Sequence, residues 1–151
     1  KDYPKAIRLI EGLMEKFPKS PEFPLIKFQF QIQGNQFSQA NENAKQLIEL
    51  AKDDAEQLSQ LAWMMATGTS QKGMDLDLAA SAAEKAVKLT EEKNADHIDT
   101  LAQVKFRQGL LDEAIALQKK AIEVAPPQYA DELRKHLEEM EAAVAPQNES
   151  K

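Results

Sequence analysis

Four alanines, Ala6, Ala40, Ala79 and Ala114, stand 34, 39 and 35 residues apart, each within a segment of helical character. Seven residues after each comes a second residue of buried type: Leu13, Leu47, Ala86 and Ala121. A two-point register repeated four times predicts a tandem array of helical hairpins, because self-similarity at such a period is the mark of repeat architectures. Each hairpin leaves an apolar face that only a neighbour covers, so the chain is expected to stack around one continuous core and to present an extended surface. Surfaces of that kind usually bind other polypeptides.

The best-formed unit runs from Ala95 to Pro126, ADHIDTLAQVKFRQGLLDEAIALQKKAIEVAP. Leu101 and Ala102 sit in its first helix, Gly109 at the turn, Ala114 and Ala121 in its second helix, and Pro126 at its end. Small residues allow close helix approach, glycine accepts the left-handed conformation at a helix end, and proline lacks the amide that a helix needs to continue. In these residues the unit resembles a tetratricopeptide repeat. The resemblance implies an all-α solenoid of antiparallel helix pairs with a right-handed superhelical course. Two positions depart from the family pattern: Lys105 stands where tyrosine is usual, and Gln118 where a bulky apolar residue is.

The other units are less regular. Residues 20–51 form a repeat in which Phe23, Ile26 and Phe30 are expected on one side of the first helix, with Gly34 ending it and one residue inserted after that glycine. Residues 53–93 form a repeat with Leu58, Leu61, Ala62 and Met65 in the first helix and Ala79, Ala82, Ala83 and Ala86 in the second. Its turn, Gly68 to Asp75, has no helical apolar period and is expected to be a mobile surface loop. Residues 1–18 match only a second helix, with Ala6, Ile7, Ile10, Leu13, Met14 and Phe17 in helical spacing before Pro18. Lys1 is not a start methionine, and the expectation is a carboxy-terminal piece of a longer protein. Within 128–144, Ala130, Leu133, Leu137, Met140 and Val144 form one apolar stripe, the pattern of a capping helix. The stretch 145–151 reads as a disordered tail.

Charge and composition narrow the function. Up to Lys52 the balance is +2 and from Asp53 onward it is −8; the acidic part repels phosphate backbones, so nucleic acid is not an expected partner. No apolar run approaches the roughly 18 residues of a membrane span. Without cysteine there is no disulfide, thiolate metal site or thiol nucleophile in these residues. His97 with Asp99 and His136 with Glu132 fall short of the three or four converging ligands of a metal site, and solvated helix positions account for both. No Gly-rich phosphate loop or nucleophile turn is present. The chain is therefore expected to carry no catalytic site, no cofactor and no metal.

In tetratricopeptide proteins the first helices line a concave groove. Carried over by position, the groove here is expected to hold Phe28, Gln31 and Ile32, then Ser59, Trp63 and Ala66, then Asp96, Asp99, Gln103 and Phe106. Phe28, Trp63 and Phe106 would form an aromatic ladder beside the carboxylates, suited to a peptide with apolar anchors and a basic residue. The alternative is that these rings pack between helices. The family's clamp for a carboxylate terminus uses cations at these places, and none stands there, which disfavours an acidic terminus.

A narrower resemblance spans Leu58 to Val144. LAWMMAT, a loop, DLDLAASAAEKAVKLTEE, the unit beginning at His97 and the final charged helix resemble the helical tail that follows the thioredoxin-fold domain of some bacterial TlpA-like thiol-disulfide proteins. That resemblance implies an extracytoplasmic or periplasmic parent protein with this piece as its docking or spacing module. The expected function is a non-catalytic protein- or peptide-binding scaffold. The second reading is a structural spacer or oligomerisation element that self-associates through its first helix.

Overall fold

A computed structural model describes residues 2–20, 22–67 and 73–144. Among them there are eight α-helices and no strand: α1 Tyr3–Lys16, α2 Glu22–Gln33, α3 Phe37–Leu50, α4 Ala55–Thr67, α5 Leu76–Leu89, α6 Ala95–Arg107, α7 Leu111–Val124 and α8 Ala130–Val144, the last preceded by a single 3₁₀ turn, Pro127–Tyr129. Consecutive helices pair, α2 with α3, α4 with α5 and α6 with α7, while α1 packs on α2 and α8 on α7. The expected loop Gly68 to Asp75 lies outside the described residues in its first five positions, and the tail 145–151 lies wholly outside them.

Local chemistry sets the helix ends. Asp2 accepts the Lys5 amide at 3.0 Å, Asp75 the Leu78 amide at 2.9 Å, and Asn94 the Asp96 and His97 amides at 2.9 and 3.2 Å; each satisfies amides that a helix start leaves without intrahelical partners. At the other ends the chain turns through a left-handed residue: Asn35 (φ 57°) after α2, Glu91 (φ 52°) after α5 and Gly109 (φ 81°) after α6. The bonds Gln36 N to Gln31 O, Glu92 N to Val87 O and Leu110 N to Lys105 O close the same six-to-one loop at all three.

These turns correct the register of the second unit. Asn35, not Gly34, is the counterpart of Gly109, so each of these two left-handed residues stands five before its marker alanine and no residue is inserted. Gly34 serves a different need: a Cβ there would stand 3.0 Å from the Tyr3 Cβ and 3.1 Å from the Phe30 carbonyl oxygen, so glycine allows the start of α1 to close on the end of α2.

The marker residues of the three complete hairpins are all buried, Ala114 in a small cluster with Ala102 and Met140 and the others in the main core. Ala40, Ala79, Ala86, Ala114 and Ala121 are fully buried and Leu47 nearly so. Around them Phe28, Leu58, Met65, Ile98 and Val104 have no exposed surface. Alanine at these points removes side-chain bulk where one helix backbone meets another, which is the physical basis of the register.

α2 departs from a single stripe. Its run Phe28, Gln29, Phe30, Gln31, Ile32, Gln33 alternates with period two, and on a helix that distributes apolar residues around the axis. Phe28 and Ile32 enter the core. Phe23, Ile26 and Phe30, expected on one side of the helix, are half-buried; the Tyr3–Phe30 and Phe17–Phe23 ring pairs, each 6.5 Å between centroids, tie that side to α1.

Candidate functional site: the cleft between the second and third hairpins

In the later hairpins the first helices touch side by side, α4 along α6, and the Ser59 and Thr100 hydroxyls join them at 3.1 Å. α2 and α4 make no comparable contact. Between them opens a cleft of about 590 Å³. Its walls are Glu22, Pro24 and Leu25 from α2, Leu47 and Leu50 from α3, Gln57, Gln60 and Leu61 from α4, and Pro18, Lys19 and Ser20 from the turn before α2. Leu50 is 79% exposed. An apolar hollow with a few amides at its rim is the general form of a ligand-binding concavity.

Polar ties of α3 fix the elements packed on it. Asn43 donates from Nδ2 to the Pro24 carbonyl at 3.2 Å and to Gln31 Oε1 at 3.1 Å, fixing α2 on α3. Asn41 donates to the Gly73 carbonyl at 2.9 Å and accepts the Asp75 amide at 3.0 Å, fastening the chain entering α5 to α3. The end of the long loop, expected to be mobile, is thus anchored where it is described.

The residues expected to line the groove do not share one surface. Phe28 is completely buried and Ile32 nearly so, because this side of α2 faces the core. Gln31, Ser59 and Ala66 are buried as well. Phe106 is half-buried against Ala102, Ala114 and Met140, so no three-ring ladder forms. Asp99 is 8% exposed and faces α7 and α8, so this carboxylate is not on the expected groove surface. Trp63 is 36% exposed, and it continues the open row of α4 formed by Glu56, Gln60 and Thr67, three to four residues apart. Asp96 is exposed and Gln103 half-buried. Sequence reasoning did not single out Leu25, Leu50 and Leu61 as site residues; the apolar surplus of α2 is a local signal for Leu25 alone, and none exists for the other two.

No protein-family model matches the chain, and no curated protein does. Among solved structures it is similar to a thermophilic TPR protein of Thermus thermophilus, with a TM-score of 0.62 and 22% identity over 94% of this chain and 74% of that one. The fold is a TPR-like α-solenoid.

The two off-pattern positions of the solenoid carry polar ties. Gln118 is fully buried and donates to Asp99 Oδ1 at 2.7 Å and to the Leu133 carbonyl at 3.1 Å. Two acceptors fix which end of the amide points there. His136 Nδ1 lies 2.8 Å from the same carboxylate oxygen, so α6, α7 and α8 meet in one hydrogen-bonded cluster. Neither histidine is the solvated side chain expected: His136 is engaged by Asp99, and His97, 4% exposed, lies between the Thr90 hydroxyl and Glu56 Oε2, each 3.4 Å away. Lys105 reaches Glu84 on α5 at 2.8 Å and Glu113 on α7 at 3.7 Å. Its hydrogen bond with Glu84 raises the lysine pKa above the ordinary value, against the opposing effect of burial. Among the described residues no group of three metal-ligating side chains converges, and no helix is long and apolar enough to cross a membrane.

Proposed function

We propose that this chain is a non-catalytic scaffold that binds a protein segment in the cleft between α2 and α4. The observation that carries the reading is the open hollow itself: elsewhere in the solenoid the first helices close on one another, whereas here Leu25, Leu50 and Leu61 line unfilled space. Apolar side chains of an extended or helical segment fill such space, the amides of Gln57 and Gln60 meet backbone groups, and Trp63 offers a ring farther along α4. Of the expected groove residues, Trp63, Asp96 and Gln103 remain available to a longer segment.

Selection from a random peptide display library, followed by titration of the selected peptides against the purified chain, tests this. Leu50→Asp, which places a charge at the mouth without disturbing a packed side chain, should weaken the selected peptides about tenfold or more. Equal affinity for the native chain and the variant would remove the cleft as the site. The spacer reading makes the opposite forecast: no peptide is selected, and the chain self-associates.

The narrower reading makes the solenoid the docking module of a TlpA-like thiol-disulfide protein, acting outside the cytoplasm. It rests on the pattern from Leu58 to Val144, and a Cys-x-x-Cys thioredoxin-fold domain encoded with this chain is the finding that would support it. A parent protein lacking such a domain would remove it.

A further inference from the structure

The register allows the grooves between successive second helices to be compared. Between α5 and α7, over α6, lies a groove of about 580 Å³ with Val87, Ile98, Leu101 and Leu117 in its lining. Its counterpart between α1 and α3, over α2, has about 500 Å³. Because Asn35 and Gly109 are equivalent, Lys27 stands in the place of Leu101, Gln31 in that of Lys105 and Asn43 in that of Leu117; the markers Ala6 and Ala79 set Glu11 in the place of Glu84. α4 lines none of the later groove, so by the same register a helix ahead of α1 would line none of the earlier one. The earlier groove is thus made by α1, α2 and α3, and it is polar where the later one is apolar.

One buried side chain there is incompletely bonded. Gln31 is 4% exposed and lines the groove. Its Oε1 accepts from Asn43 Nδ2 at 3.1 Å, while its Nε2, which the protein does not enclose, has no partner among the described residues. The fold does not require an amide at this place: by the pairs Leu61-Ala62 and Leu101-Ala102 its counterpart in α4 is Met65, fully buried. A polar group sunk in a packed surface and left with an open donor is the kind of local exception that function accounts for. Charge is balanced around it, since Lys27 meets Glu11 at 2.8 Å and Lys45 meets Glu42 at 2.7 Å. Among the described residues Ile7 alone of the lining is apolar, which gives an apolar anchor of a peptide nothing to fill. Gln36, Ser38, Gln39 and Gln46 complete the wall. Each carries both donor and acceptor, and so does every hydroxyl of a sugar.

We infer that the groove between α1 and α3 binds a neutral sugar, with Gln31 Nε2 donating to a ring hydroxyl and the amides of Gln36, Gln39 and Gln46 meeting the hydroxyls beside it. The site shares no lining residue with the cleft between α2 and α4, so it stands or falls separately from the peptide reading. Glucose, galactose and N-acetylglucosamine, titrated one at a time into the isotopically labelled chain while the side-chain amide resonances of Gln31 and Asn43 are followed, test it. At least one of these sugars should bind saturably with a millimolar dissociation constant. Gln31→Met, which keeps the length of the side chain and removes the donor, should weaken that sugar about tenfold. Gln39→Ala, at an exposed position of the wall that bears no packing, should weaken it as well, and Leu50→Asp should leave it unchanged. Absence of saturation with all the sugars, or equal binding by the native chain and both glutamine variants, overturns the assignment. Shifts of the same amides on adding the peptide selected for the cleft, with none on adding sugar, would give the groove to that peptide instead.

Discussion

At the residue scale, two kinds of compromise stand out. Glu91 holds a left-handed conformation (φ 52°) that costs an L-residue about 1 to 2 kcal/mol, where the equivalent turn after α6 uses glycine. Glu91→Gly should therefore raise stability by about 0.5 to 1 kcal/mol, the greater freedom of the unfolded chain offsetting part of the gain; an unchanged or lower midpoint in urea would contradict it. Gln118 is a compromise of the second kind, a buried amide whose Nε2 serves two acceptors while its Oε1 is buried without a partner among the described residues. Gln118→Leu leaves the Asp99 carboxylate with one tie fewer and should cost about 1 to 3 kcal/mol. Lys105 has a raised pKa, so its pairing stabilises the fold fully below the ordinary lysine value of 10.5 and is lost as pH rises through the folded value. Lys105→Gln should lower the melting temperature slightly at neutral pH, and the gap should close in strong alkali.

At the element scale, α8 and the segment leading into α5 hold the stack at its end and its middle. Ala130, Leu133 and Met140 bury the stripe of α8 against the last hairpin, while Leu137 and Val144 are only half-buried. Met140→Ala should cost about 2 to 5 kcal/mol and Leu137→Ala less, read from chemical denaturation. At the α3 contact, a Cβ on Gly73 would come 2.5 Å from the Phe37 ring. Gly73→Ala must displace that ring and should cost about 1 to 3 kcal/mol. A stability equal to that of the native chain would show the segment to be loosely held.

At the scale of the whole molecule, the solenoid was legible because its register is carried by alanines that stand where helix backbones meet, and substitution there is limited by space. The stripe of α8 was read from its spacing of three and four residues instead, and Ala130, Leu133 and Met140 of it are buried while Leu137 and Val144 are half-buried. The site was not legible in either way. Groove positions carried over from the repeat family fail in part on α4 and α6, where Ser59, Ala66 and Asp99 are buried, and fail on α2, where the alternation from Phe28 to Gln33 distributes apolar groups around the helix and leaves the choice of buried side to α1 and α3. Asp99 and His136 lie 37 residues apart in sequence, and they meet at the carboxylate that Gln118 also engages only because α8 folds back on the last hairpin. The cleft is a property of how far α2 stands from α4, which no local pattern encodes.

The most direct measurement is the amide spectrum of the isotopically labelled chain with a library-selected peptide bound. The scaffold reading predicts chemical-shift changes concentrated at Leu25, Leu47, Leu50, Gln57, Gln60 and Leu61, with the Trp63 indole following. Changes confined to α7 and α8, or spread evenly over the solenoid, would contradict it.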